Sequence, residues 1–282
     1  MRLASFVHHG RATYGTVGDD AFTDVGAVLG ARDPDLLSVL RRGELDRLAE
    51  AARRAPLVPA ADVTLLPPIE SPRIFCIGVN YRDHRDEMGH DDVLYPTVFV
   101  RFATSLVGGD VPIERPRESD RFDYEGELAV VIGRAGRRIA RADALAHVAG
   151  YACFMDGSVR DFQRHTSQFT AGKNFDRSGA FGPWLVTADE VPDPAALTLT
   201  TRVNGEVMQQ ATTDLLINGV PALIEYLSTF TELLPGDVIA TGTPGGVGAA
   251  RTPPVFLRDG DVVEVDITGV GVLRNPVVDE PR

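Results

Sequence analysis

The sequence predicts an α+β protein that is mainly β, with a small N-terminal α/β domain over residues 1–70 and a larger unit over residues 71–282. Three observations carry this expectation: short β-type runs recur between turn residues, few stretches hold a helical period, and a proline-rich segment separates the first part from the rest. With 282 residues and 44% hydrophobic content, the chain can bury one large core, or one core and a small satellite.

Residues 3–29, LASFVHHGRATYGTVGDDAFTDVGAVL, alternate in short segments broken by glycines, which predicts a β-meander. A helical segment over 35–54 follows, with Leu36, Leu37, Leu40, Leu45, Leu48, Ala49 and Ala52 near helical spacing. PLVPAADVTLLPPIESP carries five prolines and predicts a connector, so the boundary falls near Ser71. Beyond it, RIFCIGV, TVFVRF, GELAVVIG, TLTTRVNGEVMQQ, DVIATG and VVEVDITGVGVLRN read as strands. Asn204-Gly205 and Asp259-Gly260 are hairpin signals, because such turns need positive φ. The strongest helix is expected over 220–234: Pro221 suits its first turn, Leu223, Ile224, Leu227, Phe230 and Leu234 give an apolar face, and Pro235-Gly236 stops it. No internal repeat is visible.

Composition narrows the functions. A net charge of -12 and a pI near 4.9 exclude nucleic acid as a partner, since phosphate binding needs clustered Lys and Arg without surplus acid. No run approaches the roughly 20 apolar residues of a membrane span, and the start lacks the apolar region of a secretory signal; a cytoplasmic protein is expected. Cys76 and Cys153 sit inside apolar runs and read as reduced core thiols. An anionic substrate would need a local positive centre in so acidic a chain, and a bound metal ion would supply one.

The segment DYEGELAVVIG, residues 123–133, concentrates the chemistry. In a strand, Glu125, Glu127, Ala129 and Val131 share one face and Leu128, Val130 and Ile132 the other, so both faces are apolar beyond the acids and the strand is buried. Two unit charges roughly 4 Å apart repel by about 4 kcal/mol at an effective dielectric near 20. A divalent cation would satisfy both acids; a solvated strand end is the other reading of this segment alone. Asp156, at the end of HVAGYACFMD, is a third acid, either a helix cap or a ligand. Three carboxylates with no basic neighbour able to neutralise them all form an oxygen-rich set suited to Mg²⁺ or Mn²⁺ and less to zinc.

GVNYRDHRDE (78–87), DYEGELAVVIG, FMDGSVRDFQ (154–163), TAGKNFD (170–176) and TGTPGGVG (241–248) together, in this order, resemble the fumarylacetoacetate hydrolase superfamily across residues 71–282. The resemblance implies a mixed β-sandwich roll whose mouth binds Mg²⁺ or Mn²⁺ through Glu125, Glu127 and Asp156. It implies that Lys173 lies beside the metal and holds substrate oxygens, that Gln163 and Thr243 contact substrate, and that His84 and Glu87 activate water in hydrolytic members. On the residues alone, Lys173 could be a surface lysine and His84–Glu87 a surface pair three residues apart on a short helix. TGTPGGVG lacks the Lys and Ser/Thr ending of a P-loop, so its glycines are expected to let backbone approach a ligand. Trp184 reads as a core or rim aromatic, and His8, His9, His90, His147 and His165 as structural or exposed. A homodimer is also implied only by the resemblance.

These parts favour hydrolysis of a carbon–carbon bond in a small 2-oxo acid of the acylpyruvate or fumarylpyruvate type, with metal and Lys173 meeting the developing charge. Isomerisation or decarboxylation of hydroxymuconate-type acids or oxaloacetate is the alternative, because the same metal chemistry serves it. A non-catalytic ligand-binding protein is the reading of a different class, and a turnover assay separates it.

Overall fold

The computed structural model of the chain describes residues 1–88 and 95–281. The chain opens with β1 (Arg2–His8) and β2 (Arg11–Thr16), then α1 (Leu36–Arg42) and α2 (Leu45–Ala52). It continues through β3 (Ile74–Gly78), α3 (Arg82–Met88), β4 (Thr97–Arg101), β5 (Ile113–Arg115), β6 (Gly126–Ile132) and β7 (Val148–Met155). Two single-turn helices follow, α4 (Arg160–Gln163) and α5 (Thr170–Lys173), then β8 (Gly179–Thr187), β9 (Thr198–Val203) and β10 (Glu206–Thr212). The last elements are α6 (Val220–Phe230), β11 (Val238–Ala240), β12 (Val262–Ile267) and β13 (Gly271–Asp279), with shorter strands and turns between.

The strands form two principal sheets. A ten-stranded mixed sheet follows the path β2-β1-β8-β7-β6-β11-β3-β4, with two short strands off this path paired to β1 and β8, and a five-stranded sheet has the order β10-β9-β12-β13-β5. The alternation read from DYEGELAVVIG explains how β6 joins the layers. Leu128, Val130 and Ile132 pack with Leu199, Val263 and Val265 of the second sheet and with Leu223 of α6. Ala129 and Val131 face the other way, onto Leu3, Leu36 and Leu48. All of β6 is buried, and each large apolar side chain so enclosed contributes about 1.5–3 kcal/mol. The expected α+β, mainly β architecture is what the chain adopts. In it, the first 70 residues add β1 and β2 beyond β8, with Leu3 opposite Leu185, and pack their helices on one face of the large sheet.

Three local expectations are corrected. The helix over 35–54 is two helices, because Gly43 takes φ 67 and closes α1 with its amide on the Leu40 carbonyl; Asp35 caps the start by accepting from the Ser38 amide at 2.7 Å. The helix expected over 220–234 ends at Phe230, and Phe230 and Leu234 are exposed rather than part of its buried face. The chain leaves the helix there because Leu233 exchanges backbone hydrogen bonds with Gly136, at 2.9 and 3.0 Å, and is itself buried. Asn204-Gly205 does turn a hairpin, β9 to β10, at φ 53 and 82. Asp259-Gly260 does not: the Gly260 amide donates to the Val277 carbonyl at 3.0 Å, and the β12–β13 hairpin turns at Gly269 instead, at φ 74.

Candidate active site

The pairing of β6 with β7 brings the three acids together. Gly126 lies opposite Met155, so Glu125 and Glu127 at the start of β6 meet Asp156 just past the end of β7. The Asp156 amide donates to the Glu125 carbonyl at 2.8 Å. One carboxylate oxygen from each of Glu125, Glu127 and Asp156 falls within 4.8 Å of the others, and all three residues are buried. Gly126 between the two glutamates is obligatory for steric reasons, since a Cβ there would come 2.0 Å from Thr201 Oγ1.

Two arginines reach this cluster besides the Lys173 that the resemblance placed there, yet together they leave one of the three acids unpaired. Lys173 Nζ donates to Glu125 Oε2 at 2.7 Å and to Asp156 Oδ2 at 2.6 Å. Arg101 Nη1 donates to Asp156 Oδ1 at 2.5 Å. Arg160 reaches Glu125 Oε1 at 2.6 Å and Asp123 Oδ2 at 2.7 Å. The reading of Lys173 as a surface lysine is excluded, because it is 1% exposed. Burial pushes the Glu125 carboxyl up, but Lys173 and Arg160 more than reverse this and hold it down at about 2. Burial opposes the charged form of Lys173 too, and Asp156 and Glu125 raise its pKa nonetheless. Glu127 is different. Among the described residues no cation pairs with it; its Oε2 accepts from the Gly242 amide at 2.9 Å, and burial with Asp156 and Glu125 nearby raises its pKa well above the usual carboxylate value. Four buried carboxylates, counting Asp123, thus face three buried cations, and the excess negative charge rests on Glu127.

A small cleft opens over these groups, lined also by His84, Gln163 and Thr243. α3 presents His84 to it. The His84 Nδ1 lies 3.4 Å from Glu87 Oε2, which leaves Nε2 as the ring nitrogen without a partner among the described residues. Burial pushes the Glu87 carboxyl up, but its bonds to His84 and the Gly246 amide hold it below the usual range. Gln163 Oε1 accepts from Arg160 Nη1 at 3.0 Å. Thr243 Oγ1 donates to the Gly126 carbonyl at 2.9 Å and accepts from Gln209 Nε2 at 2.8 Å. The cleft is thus lined by His84, Glu125, Glu127, Gln163, Lys173 and Thr243, while Asp156 and Glu87 stand behind it, bonded to Lys173 and His84.

The glycine loop behaves otherwise than expected. Its backbone approaches the protein's own carboxylates: the Gly242 amide serves Glu127, Gly245 serves Asp83 at 3.2 Å, Gly246 serves Glu87 at 3.0 Å and Gly248 serves Asp123 at 2.8 Å. Gly242 has φ 101, and a Cβ there would lie 2.8 Å from Asn80 Cβ. Of the remaining histidines, His147 is buried against Arg134, and His8, His9 and His165 lie outside the site; His90 falls outside the described residues. Trp184 is half-buried, its Nε1 donating to the Val270 carbonyl at 2.8 Å.

Sequence reading missed Arg101, Arg160 and Gln209. Arg101 had a signal: in TVFVRF it shares a strand face with Phe99, and an arginine at an inward position of an apolar strand needs a buried partner. Arg160, which lines the cleft, keeps its Nη2 buried with no partner among the described residues. Gln209 Oε1 accepts from the Gly126 amide at 3.0 Å and so ties the acid strand to the Thr243 loop. Nothing in MQQ marks it.

The donor set fits a hard divalent cation. Three carboxylates converge, each anchored by other groups, and the least neutralised, Glu127, sits among them. Fold and site thus define a mainly β protein with three carboxylates able to hold a metal beside a His–Glu pair. The chain belongs to the fumarylacetoacetate hydrolase superfamily: residues 73–278 match the family's C-terminal fumarylacetoacetate (FAA) hydrolase domain. It is 44% identical over 245 residues to the mitochondrial oxaloacetate tautomerase FAHD2A of Bos taurus, covering 86% of this chain and 76% of the relative. Among solved structures, it matches maleylpyruvate hydrolase from Sphingobium sp. SYK-6, in complex with manganese (II) ion and pyruvate, with a TM-score of 0.83 at 33% identity over 100% of both chains. It also matches 5-carboxymethyl-2-hydroxymuconate delta-isomerase from Mycobacterium smegmatis, TM-score 0.80 at 33% identity, over 99% of this chain and 100% of that one. No described helix is long and apolar enough to cross a membrane.

Proposed function

We propose that this chain interconverts the keto and enol forms of a small 2-oxo dicarboxylate of the oxaloacetate type, moving one proton at the carbon beside the oxo group. The observation that supports this best is His84: its Nδ1 is held by Glu87, and its ring lines the same cleft as the acids, Lys173 and Arg160. With Nδ1–H turned to the carboxylate, Nε2 can take a proton from C3, and the enolate oxygen then takes one from the imidazolium or from water to give the enol; the reverse order restores the keto form. The negative charge then developing on the 2-oxo oxygen meets the third N–H of Lys173, whose other two serve Glu125 and Asp156, and the free Nη2 of Arg160. The Gln163 amide nitrogen remains to donate to a substrate carboxylate, and the Thr243 oxygen, whose proton serves Gly126, remains to accept from a substrate hydroxyl. Mg²⁺ or Mn²⁺, held by Glu125, Glu127 and Asp156, would supply Lewis-acid polarisation of the 2-oxo group.

Tautomerisation is preferred because relatives carrying that activity in their names share 44% identity, against 33% for the hydrolase and isomerase structures. Hydrolysis of an acylpyruvate is the second reading, supported by the same His84–Glu87 pair, which could take its proton from water, and by the likeness to maleylpyruvate hydrolase. Decarboxylation of oxaloacetate would use the same charge-stabilising groups. The proposal extends to a homodimer, as the family resemblance implies, and sedimentation of the purified protein checks the oligomeric state. The deciding experiment follows the ultraviolet absorbance of enol-oxaloacetate with Mg²⁺ or Mn²⁺, beside a panel of acylpyruvates with product identification. Accelerated loss of the enol supports the proposal; cleavage of an acylpyruvate without any such acceleration would move the assignment to hydrolysis.

A further inference from the structure

The cleft has two unlike halves. On one side stand Glu125, Glu127, Lys173, Arg160 and the polar side chains of Gln163 and Thr243; on the other, Ile77, Gly78, Val79, Phe99 and Phe169 offer no polar side chain. The polar half has donors enough for the oxygens of a four-carbon oxo-diacid, so any longer tail must run against the apolar wall. Two rings close that wall. Phe99 is pinned, because the Lys173 ammonium sits 5.3 Å from the centre of its ring. Phe169 meets Phe99 edge to face, centroids 5.6 Å apart at 75°. Its Cε2 also leans over Gly78, where an added Cβ would come within 3.2 Å, so the strand floor holds no spare volume beneath the ring. Unlike Phe99, Phe169 is carried outside the sheet, on the residue just ahead of α5, and is half-buried.

We infer that Phe169 sets the chain length this site accepts: its ring occupies the place of a substrate tail and confines the protein to short 2-oxo acids. This rests on the proposed binding of 2-oxo acids at the acid cluster, and it names the residue that separates an oxaloacetate-sized substrate from a long acylpyruvate. A ring packed this way excludes a tail by overlap, whereas its removal leaves an apolar slot between Phe99 and Gly78. Each methylene buried there gains roughly a factor of four in affinity.

The test is calorimetric titration of the Mg²⁺-loaded protein with straight-chain 2-oxo acids of rising length, from pyruvate to 2-oxohexanoate. It compares wild type with Phe169→Ala and with Phe169→Leu, which keeps an apolar anchor ahead of α5. Wild type should bind more weakly as the chain lengthens. Phe169→Ala should reverse that order, tightening by roughly fourfold per methylene, with Phe169→Leu between the two. An unchanged order in both variants overturns the inference, as does a common loss for every acid, which would mean that Phe169 only packs α5 beneath Lys173. The order is read from binding, so its reversal stands even if enol-oxaloacetate proves not to be the substrate.

Discussion

Glu127→Gln should act in opposite directions on the metal-free and metal-loaded protein. Glu127 is 2% exposed, has no cationic partner among the described residues, and shares its surroundings with Glu125 and Asp156. At the 4.8 Å limit of their separation, one like-charge contact costs about 3.5 kcal/mol at an effective dielectric of 20. Linkage gives the same sign. A carboxyl whose folded pKa is raised binds its proton more tightly in the folded state, so it destabilises the fold by about 1.4 kcal/mol for each pH unit above its unfolded value until it ionises. Glutamine keeps the shape and an acceptor for the Gly242 amide but removes this term. The metal-free variant should therefore melt higher than wild type by about 5 °C at neutral pH, for a gain near 3 kcal/mol, and the gap should shrink as pH falls toward 4.5. Mn²⁺ should raise the melting temperature of wild type and leave the variant unmoved, because stabilisation by a ligand follows its affinity. Differential scanning fluorimetry across pH, with and without Mn²⁺, makes the comparison. A metal-free variant that melts lower than wild type, or one that Mn²⁺ stabilises equally, would refute this account of the site.

Chelator treatment should abolish turnover, and Mg²⁺ or Mn²⁺ should restore it; full activity in a metal-free preparation would remove the metal from the mechanism. Lys173→Met should lower kcat by about 10², the scale of one lost oxyanion-type donor, and should destabilise the metal-free protein by about 3–5 kcal/mol because Glu125 and Asp156 lose their shared partner. A change in KM alone would demote Lys173 to a positioning role. His84→Ala should cut turnover at saturating substrate by roughly 10² or more with Mn²⁺ affinity intact, since His84 touches the acids only through the cleft; near-normal turnover would exclude it as the base.

The parts of this molecule that were legible in its sequence are those governed by short-range periodicity. The alternation after Glu125 gave both faces of β6 because a two-residue period survives in a buried strand. That Asp156 would come within reach of Glu125 and Glu127 rested on motif resemblance, since the approach depends on β6 pairing with β7 at one register, and pairing is not written in either strand alone. The early end of α6 was hidden for the same reason: Leu233 is drawn away by Gly136, about a hundred residues distant. The counter-charges were harder still. Arg101, Lys173 and Arg160 come from three separate segments, and only the folded chain reveals that they divide Asp123, Glu125 and Asp156 among themselves and leave Glu127 alone.

The glycine loop, finally, makes two distant parts of the site share one origin of coordinates. Its amides hold Glu127, which belongs to the acid cluster, and also Asp83 and Glu87, which flank the imidazole of His84 on α3. The offset between the His84 imidazole and the acid cluster is thus written in the backbone of a few residues and not in a hydrogen bond between the two. Side chains lining the cleft can be exchanged for new substrates without disturbing that offset, whereas one residue inserted into 241–248 would shift both halves out of alignment at once. Among the elements of this fold, the loop is the ruler against which the rest can vary.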